Sequence, residues 1–244
     1  MTTYWEDLNW IEFQRRVPAE FPTAIIPIGT VEAHGVGPLG TDNFIPIDLV
    51  AQIADDLSAL VCPPIHYGQV RGLAGYPGSI SVDEPALLAY CQSVFAGIAD
   101  WGFRHLVVIN GHGGNTQTLK QAAWSVHART KIKVLVVDWW ILANSVCEEV
   151  YQQTGGHAGC DENGYVMAIR PETVHPDLYK DAMSVNFNPA VTVYPFPGPV
   201  ITYKDGQGAP VFDQTKGRRY REGAIIKVRE FCRTTLNQWK VMGL

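Results

Sequence analysis

Six side chains in this 244-residue sequence have the types and spacing to do metal chemistry: Glu32, His34, Asp42, His112, His157 and Glu162. Glu32 and His34 stand two apart in TVEAHG, and in an extended segment that spacing puts both on one side. Asp42 follows at a helix start, with Gly35, Gly37 and Gly40 between, so the three can converge on a cation in a tight loop. Taken singly, a Glu-x-His pair is a common surface pattern and Asp42 is a good N-cap; the two roles of Asp42 combine when one oxygen caps and another ligates. His112 sits in NGHGGN, flanked by Gly111, Gly113 and Gly114, with Asn115 placed to cap the next helix. Glycines let the backbone approach a ligand closely. A phosphate cradle at a helix N-terminus is the competing reading, but no GxGxxG or Walker pattern stands here. His157 follows two glycines in GGHAGCDENGY, and Glu162 falls in the first turns of a helix ending near Arg170. The blander alternatives are a turn histidine and a helix-start acid favoured by the dipole. Cys160 reads as packing, since a thiolate among hard oxygen donors is unusual.

The elements that must position these residues follow from hydrophobic patterning. TAIIPIG (Thr23 to Gly29), HLVVIN (His105 to Asn110) and IKVLVVD (Ile132 to Asp138) are short apolar runs of the kind that form buried strands. Helical patterns run from Asn43 to Leu57 with Asp42 capping, from about Pro85 to Trp101, from Thr116 to Arg129, and from about Arg221 to Trp239. Asn188 to Gly208, rich in Pro and Gly, reads as an extended excursion. Strands alternating with helices argue for one α/β domain over residues 1–244, a mostly parallel sheet covered on both faces. In such a sheet, ligands bind beyond the carboxyl ends of the strands. That is where the loops carrying Glu32, His34, Asp42 and His112 emerge, with Asp138-Trp139-Trp140 as a third such segment.

Composition narrows the partners. A formal charge of -5 and a pI near 5.8 give no electrostatic reason to expect nucleic acid or an anionic membrane. The basic cluster Lys216 to Arg221, broken by Gly217 and Tyr220, reads as a solvated loop or helix start. No apolar run approaches the roughly 20 residues of a membrane span, and MTTYWEDLNW lacks the apolar core of a secretion signal. The five scattered cysteines form no CxxC pair and suit a reducing, cytoplasmic setting.

Together, IPIGTVEAHGVGPLGTDNF, INGHGGN and GGHAGCDEN resemble the creatininase (creatinine amidohydrolase) family, over roughly Ile25 to Arg170 and in the family's order. The resemblance implies a three-layer α/β/α domain, a dinuclear metal centre and a homo-oligomer, often a hexamer. It implies that Glu32 and His112 hold one ion, that His34 holds the other, that Asp42 bridges them and that Glu162 completes the second. Two imidazoles and three carboxylates suit zinc, manganese or iron better than calcium or magnesium. Creatinine-hydrolysing members resemble NGHYEN at the histidine loop; Gly113 and Gly114 stand at those positions here, which points away from creatinine. Other branches open a cyclic amide or formamide, or trim a peptide precursor. RGLAGYPGSISV (Arg71 to Val82) resembles the family's substrate-side segment, with Ser79 as a contact.

The expected activity is hydrolysis of a non-peptide C–N bond in a small-molecule amide, with water activated by two metal ions. His157 and Glu162 are the catalytic candidates, His157 as proton donor to the leaving nitrogen or, in the rival placement, as a residue orienting a ligand. Gly113, Trp139 and Trp140 join Ser79 as the substrate-binding candidates, against the simpler view of the two tryptophans as core aromatics. A metal-binding scaffold without turnover and a peptide-trimming enzyme are the alternatives.

Overall fold

The computed structural model describes residues 3–188 and 190–244. Met1 and Thr2, at the start of the stretch read above for a secretion signal, and Pro189 in the Pro- and Gly-rich excursion lie outside the described residues. After α1 (Trp10–Arg16), strand β1 (Thr23–Ile28) leads through a long loop into α2 (Thr41–Ile53) and the short β2 (Ala59–Val61). There follow α3 (Glu84–Asp100), β3 (His105–Asn110), α4 (Thr116–Thr130), β4 (Lys133–Asp138), α5 (Trp139–Leu142), α6 (Asn144–Tyr151) and α7 (Cys160–Ile169). The remainder holds β5 (Ser184–Asn186), β6 (Val200–Thr202) and the 28-residue α8 (Gln214–Val241).

The main sheet has the order β2-β1-β3-β4, with every neighbouring pair parallel. Successive strand side chains point to opposite faces, and each face has its own core. Ile25, Val107, Ile109 and Val137 pack against α2, α5, α6, α7 and α8. Ala24, Ile26, Leu106 and Val108 pack against α1, α3 and α4. Strand residues apolar on both faces are what a sheet enclosed by two helical layers requires. The register aligns Ile28, Asn110 and Asp138 in one row at the carboxyl edge, so the loops after β1, β3 and β4 leave the sheet side by side.

Three features differ from the sequence expectation. The second helix begins at Thr41 with Gly40 as N-cap, so Asp42 lies inside its first turn and caps nothing. Asn115 does stand at the N-cap of α4 but makes no capping bond; its amide accepts from Gln69 N and donates to Gly29 O, tying two loops together. The last helix starts at Gln214, capped by Asp213, so the basic cluster is helical. Gly217 there lies against the backbone of Gly164, where any Cβ would meet the Gly164 carbonyl: the glycine permits a close crossing of α8 on α7 and does not break the helix. None of the described helices is long and apolar enough to cross a membrane.

Candidate metal centre

Glu32, His34 and Asp42 are each 2% exposed and Glu162 is 9% exposed, on the loop after β1, the first turn of α2 and the first turn of α7. His112 sits just beyond β3. Glycine brings these segments together: a Cβ on Gly29 or on Gly111 would strike the backbone carbonyl of Asp42. Both loops can therefore press against the start of α2. Carboxylates this deeply buried are costly unless they are paired or hold a cation.

Each imidazole is pinned through one nitrogen to a backbone carbonyl. His34 Nδ1 lies 3.0 Å from Glu32 O, His112 Nε2 2.9 Å from Gln69 O, and His157 Nε2 2.9 Å from Ala33 O. A carbonyl only accepts, so those nitrogens carry the proton and the other nitrogen of each neutral ring is the one with a lone pair. That second nitrogen turns towards carboxylates in every case. His34 Nε2 is 3.0 Å from Asp42 Oδ1 and 3.6 Å from Glu162 Oε2. His112 Nδ1 is 3.0 Å from Asp42 Oδ2 and 3.1 Å from Glu32 Oε1. His157 Nδ1 is 3.5 Å from Glu32 Oε1. Further out, Asn110 steadies the His112 loop: its Oδ1 accepts from His112 N while its amide donates to Asp138 Oδ1 and His112 O.

Two ligand sets share Asp42: His34, Asp42 and Glu162, and Glu32, Asp42 and His112, with the donor atoms of each set within 4.8 Å of one another. A third combination joins Glu32, His34 and His157. Despite the short distances, His34 Nε2 and Asp42 Oδ2 are buried with no hydrogen-bond partner. They are close to their neighbours but not aligned with them, at a cost of about 1–3 kcal/mol for each such atom. Convergent imidazole and carboxylate atoms, with each imidazole oriented by a hydrogen bond behind it, are what a divalent transition metal requires, so the residues fit such an ion.

The electrostatics agree. Burial works against a charge on His34, yet Asp42, then Glu162 and Glu32, push its pKa up to about 10. His112 is likewise raised, burial being outweighed by Glu32 and Asp42. Asp42 is held below the usual carboxylate range by His34 and His112 against its own burial. The pocket potential favours positive charge. His157 departs from this pattern: burial, then the neighbouring His34, push it down to about 4.

Above these groups opens a cavity of about 500 Å³, with Glu32, His112, His157, Asp161 and Glu162 at its base and Arg71, Gly113, Trp140, Tyr194, Phe196 and Tyr203 among its walls. A family model described as creatinine amidohydrolase matches residues 6–231. The chain belongs to the creatininase family. It is 26% identical to creatinine amidohydrolase of Pseudomonas putida over 75% of this chain and 78% of that protein. It is 31% identical to the mycofactocin precursor peptide peptidase of Mycolicibacterium smegmatis, over 67% of this chain and 64% of that one. To 3-dehydro-scyllo-inosose hydrolase of Thermotoga maritima it is 28% identical, over 76% and 62%. A solved manganese creatininase superposes with a TM-score of 0.83 at 24% identity, covering 96% of this chain and 99% of that one. A mutant creatininase of Zn–Zn type gives 0.83 at 23%, over 96% and 98%. The creatininase fold is thus shared over nearly the whole chain.

Around this cavity the sequence-derived candidates separate. Glu32, His34, Asp42, His112, His157 and Glu162 come together, and Gly113 and Trp140 face the cavity. Trp139 does not: it is fully buried among Tyr165, Tyr220 and Trp140, in the core beneath. Ser79 is not on the cavity wall either; its Oγ accepts from Ala33 N at 3.0 Å and so braces the loop that carries Glu32 and His34. Cys160 packs in the core, its Sγ 3.5 Å from that of Cys147. Sequence reasoning passed over Asp161, Arg71, Tyr194, Phe196 and Tyr203. Asp161, next to Glu162, accepts from Gly156 N and is pushed up to about 6 by burial. The aromatic trio had one available signal, an aromatic-rich run inside a Pro- and Gly-rich stretch.

Proposed function

We propose that this chain hydrolyses a C–N bond of a small-molecule amide, a cyclic amide or a formamide, at a centre of two divalent ions of zinc, manganese or iron. The observation that carries the reading is the shared Asp42, whose two oxygens face two different imidazoles, His34 and His112, at 3.0 Å each. Glu32 and His112 would hold one ion, His34 and Glu162 the other, with Asp42 common to both. Such ions, when bound, supply Lewis acidity towards a carbonyl oxygen and lower the pKa of water to near neutrality. His157 keeps its proton on Nε2 against Ala33 O, so Nδ1 is free to accept the proton of the attacking water. The water oxygen bonds to the carbonyl carbon, the C–N bond breaks, and the proton held on Nδ1 leaves with the nitrogen. This assigns His157 a base-then-acid role in place of a pure donor. Gly113 leaves room for a substrate beside Trp140, whereas Gly114 is packed against Gln69 O and the His112 ring, where a Cβ would strike both, and Tyr203 is a further wall of the cavity.

Family membership supports hydrolysis, as do relatives named for hydrolase and amidohydrolase activity and solved creatininases of manganese and Zn–Zn type. A second reading, trimming of a peptide, is favoured by the cavity of about 500 Å³ with aromatic walls and by the mycofactocin precursor peptide peptidases, to which the chain is up to 32% identical. The deciding experiment is metal content by elemental mass spectrometry, beside a Glu162→Ala variant. About two equivalents per chain, falling to about one in the variant, is the expected result. No bound metal after reconstitution with zinc, manganese and iron would overturn it. Rates on a cyclic amide, a formamide and a short peptide then choose between the readings, and full loading without turnover would mark a scaffold.

A further inference from the structure

A second pocket, of about 610 Å³, opens at the opposite end of the sheet. It lies at the amino ends of β1, β3 and β4, where Thr23, His105 and Lys133 stand side by side in register. β3 alone separates it from the metal centre by six residues, about 20 Å of strand. Four permanent cations line it: Arg104 and Lys133 from the sheet edge, Arg233 and Lys240 from the last turns of α8. Among the described residues none of the four has an ion-pair partner, whereas Arg16, Arg71, Arg219, Arg221 and Arg229 each do. The one carboxylate side chain in the lining, Asp56, is taken by Arg229 at 3.3 Å.

We propose that this pocket binds a small molecule bearing a phosphate or a comparable multivalent oxyanion. Like charges gathered in a concave site repel one another, and a cleft lined by one sign concentrates the field on a ligand of the other sign. Two features show the pocket is built and not merely a basic surface. His105 in the lining is held on two sides, Nδ1 against Thr23 Oγ1 at 3.3 Å and its ring stacked on Trp239 at 5.7 Å and 8°. Burial, then Lys133 and Arg104, push its pKa down to about 4, so two of the four cations act on the imidazole. The cations also come from three separate segments that only the fold unites. Guanidinium and ammonium groups together are the donors that oxyanions select. Independence from the metal centre follows from location, since none of these residues touches the catalytic cavity.

His105 makes the test direct. In the zinc-loaded protein its ring resonances, identified with His105→Gln, are followed by NMR while inorganic phosphate replaces chloride at constant ionic strength. The expected result is a saturable shift at one site, with the His105 pKa rising by about one unit or more as the cations are neutralised. In the Arg104→Gln/Lys133→Gln double variant the phosphate affinity falls about tenfold or more while zinc content stays the same. That variant also melts no lower than the parent without phosphate, because it relieves repulsion, and it loses the rise in Tm that phosphate gives the parent. Arg233→Gln repeats the comparison at an exposed position should the double variant misfold. A response that chloride reproduces, that never saturates, or that survives the substitutions overturns the proposal.

Discussion

His157 Nδ1 stands 3.5 Å from Glu32 Oε1, farther than the 3.0 Å and 3.1 Å that bring His34 and His112 onto their carboxylates. Whether His157 carries a proton, as proposed, or ligates an ion is decided by substitution. A His157→Gln variant is expected to keep its full metal content while kcat falls by about 10²–10⁴-fold, the usual contribution of a positioned acid–base group. Loss of one metal equivalent would instead make it a ligand, within the set it forms with Glu32 and His34. His105 gives a second residue-scale expectation. Its pKa is about 4 in the folded chain against an ordinary 6.5, so between those values the unfolded chain binds more protons. The His105 contribution to stability therefore rises with pH from about 4 to 6.5 and is lost as pH falls through that window. Urea unfolding at the two ends of the window should give a smaller difference in His105→Gln than in the parent; an equal difference would contradict the assignment.

Beyond their shared apolar core, the helices that carry the site meet at a polar contact. Asp48, on α2, accepts from Arg221 Nε at 2.7 Å and Nη2 at 2.8 Å, on α8, and from Tyr165 Oη at 2.9 Å, on α7. α2 also carries Asp42 and α7 carries Glu162, so this three-way contact helps to hold two candidate metal-binding carboxylates in place. A two-pronged Arg–carboxylate pair resists sliding in a way a single bond does not. Asp48→Asn should cost about 2 kcal/mol, lowering Tm by roughly 4–8 °C in a chain of this length. Metal affinity should fall with it, although Asp48 touches no donor atom of the site. A variant with unchanged Tm and metal affinity would show that the two helices are held elsewhere.

At the scale of the whole molecule, the sheet separates two sites of opposite character: carboxylates and imidazoles at its carboxyl edge, unpaired cations at its amino edge. The carboxyl-edge site gathers buried carboxylates at the starts of α2 and α7 and in the loop after β1, and a bound cation would offset their charge. Metal should therefore act as a structural ligand as well as a chemical one. Each ion present at about 100 times its dissociation constant adds about 2.7 kcal/mol to stability, or roughly 5–10 °C in Tm for a chain of this size. Calorimetry before and after chelation reads this directly, and a Tm indifferent to chelation would argue against buried, high-affinity ions. Proton release should accompany loading, because His34 and His112 have raised pKa values that the ions oppose.

Local pattern was enough for much of this. A buried strand is a run of apolar residues whatever surrounds it, and β3 emerged from HLVVIN with both ends correct. The rule that ligands gather beyond strand carboxyl ends then placed the loops after β1 and β3 together. Metal-ligand types survive as sequence marks because few other residues can do that chemistry, and glycines survive because a Cβ at Gly29 or Gly111 would meet the carbonyl of Asp42. β2, three residues long, is too short to show any period. Asp42 was an N-cap by sequence and a first-turn residue by structure, since Gly40 begins the helix one turn-step earlier. Trp139 and Trp140 are equivalent on paper; adjacent helical positions differ by about 100° around the axis, and only packing decided that Trp140 meets the cavity and Trp139 the core. The cavity walls from Tyr194 to Tyr203, and the cations Arg104, Lys133, Arg233 and Lys240, lie far apart along the chain and carry no short-range signature. The sequence by itself determined the layered α/β fold and the residue types that gather at the candidate metal site, because both depend on residue type and local spacing. The tertiary structure alone decided which groups line the cavity and where the positive charge collects, because those depend on which distant segments the packing of two cores brings face to face.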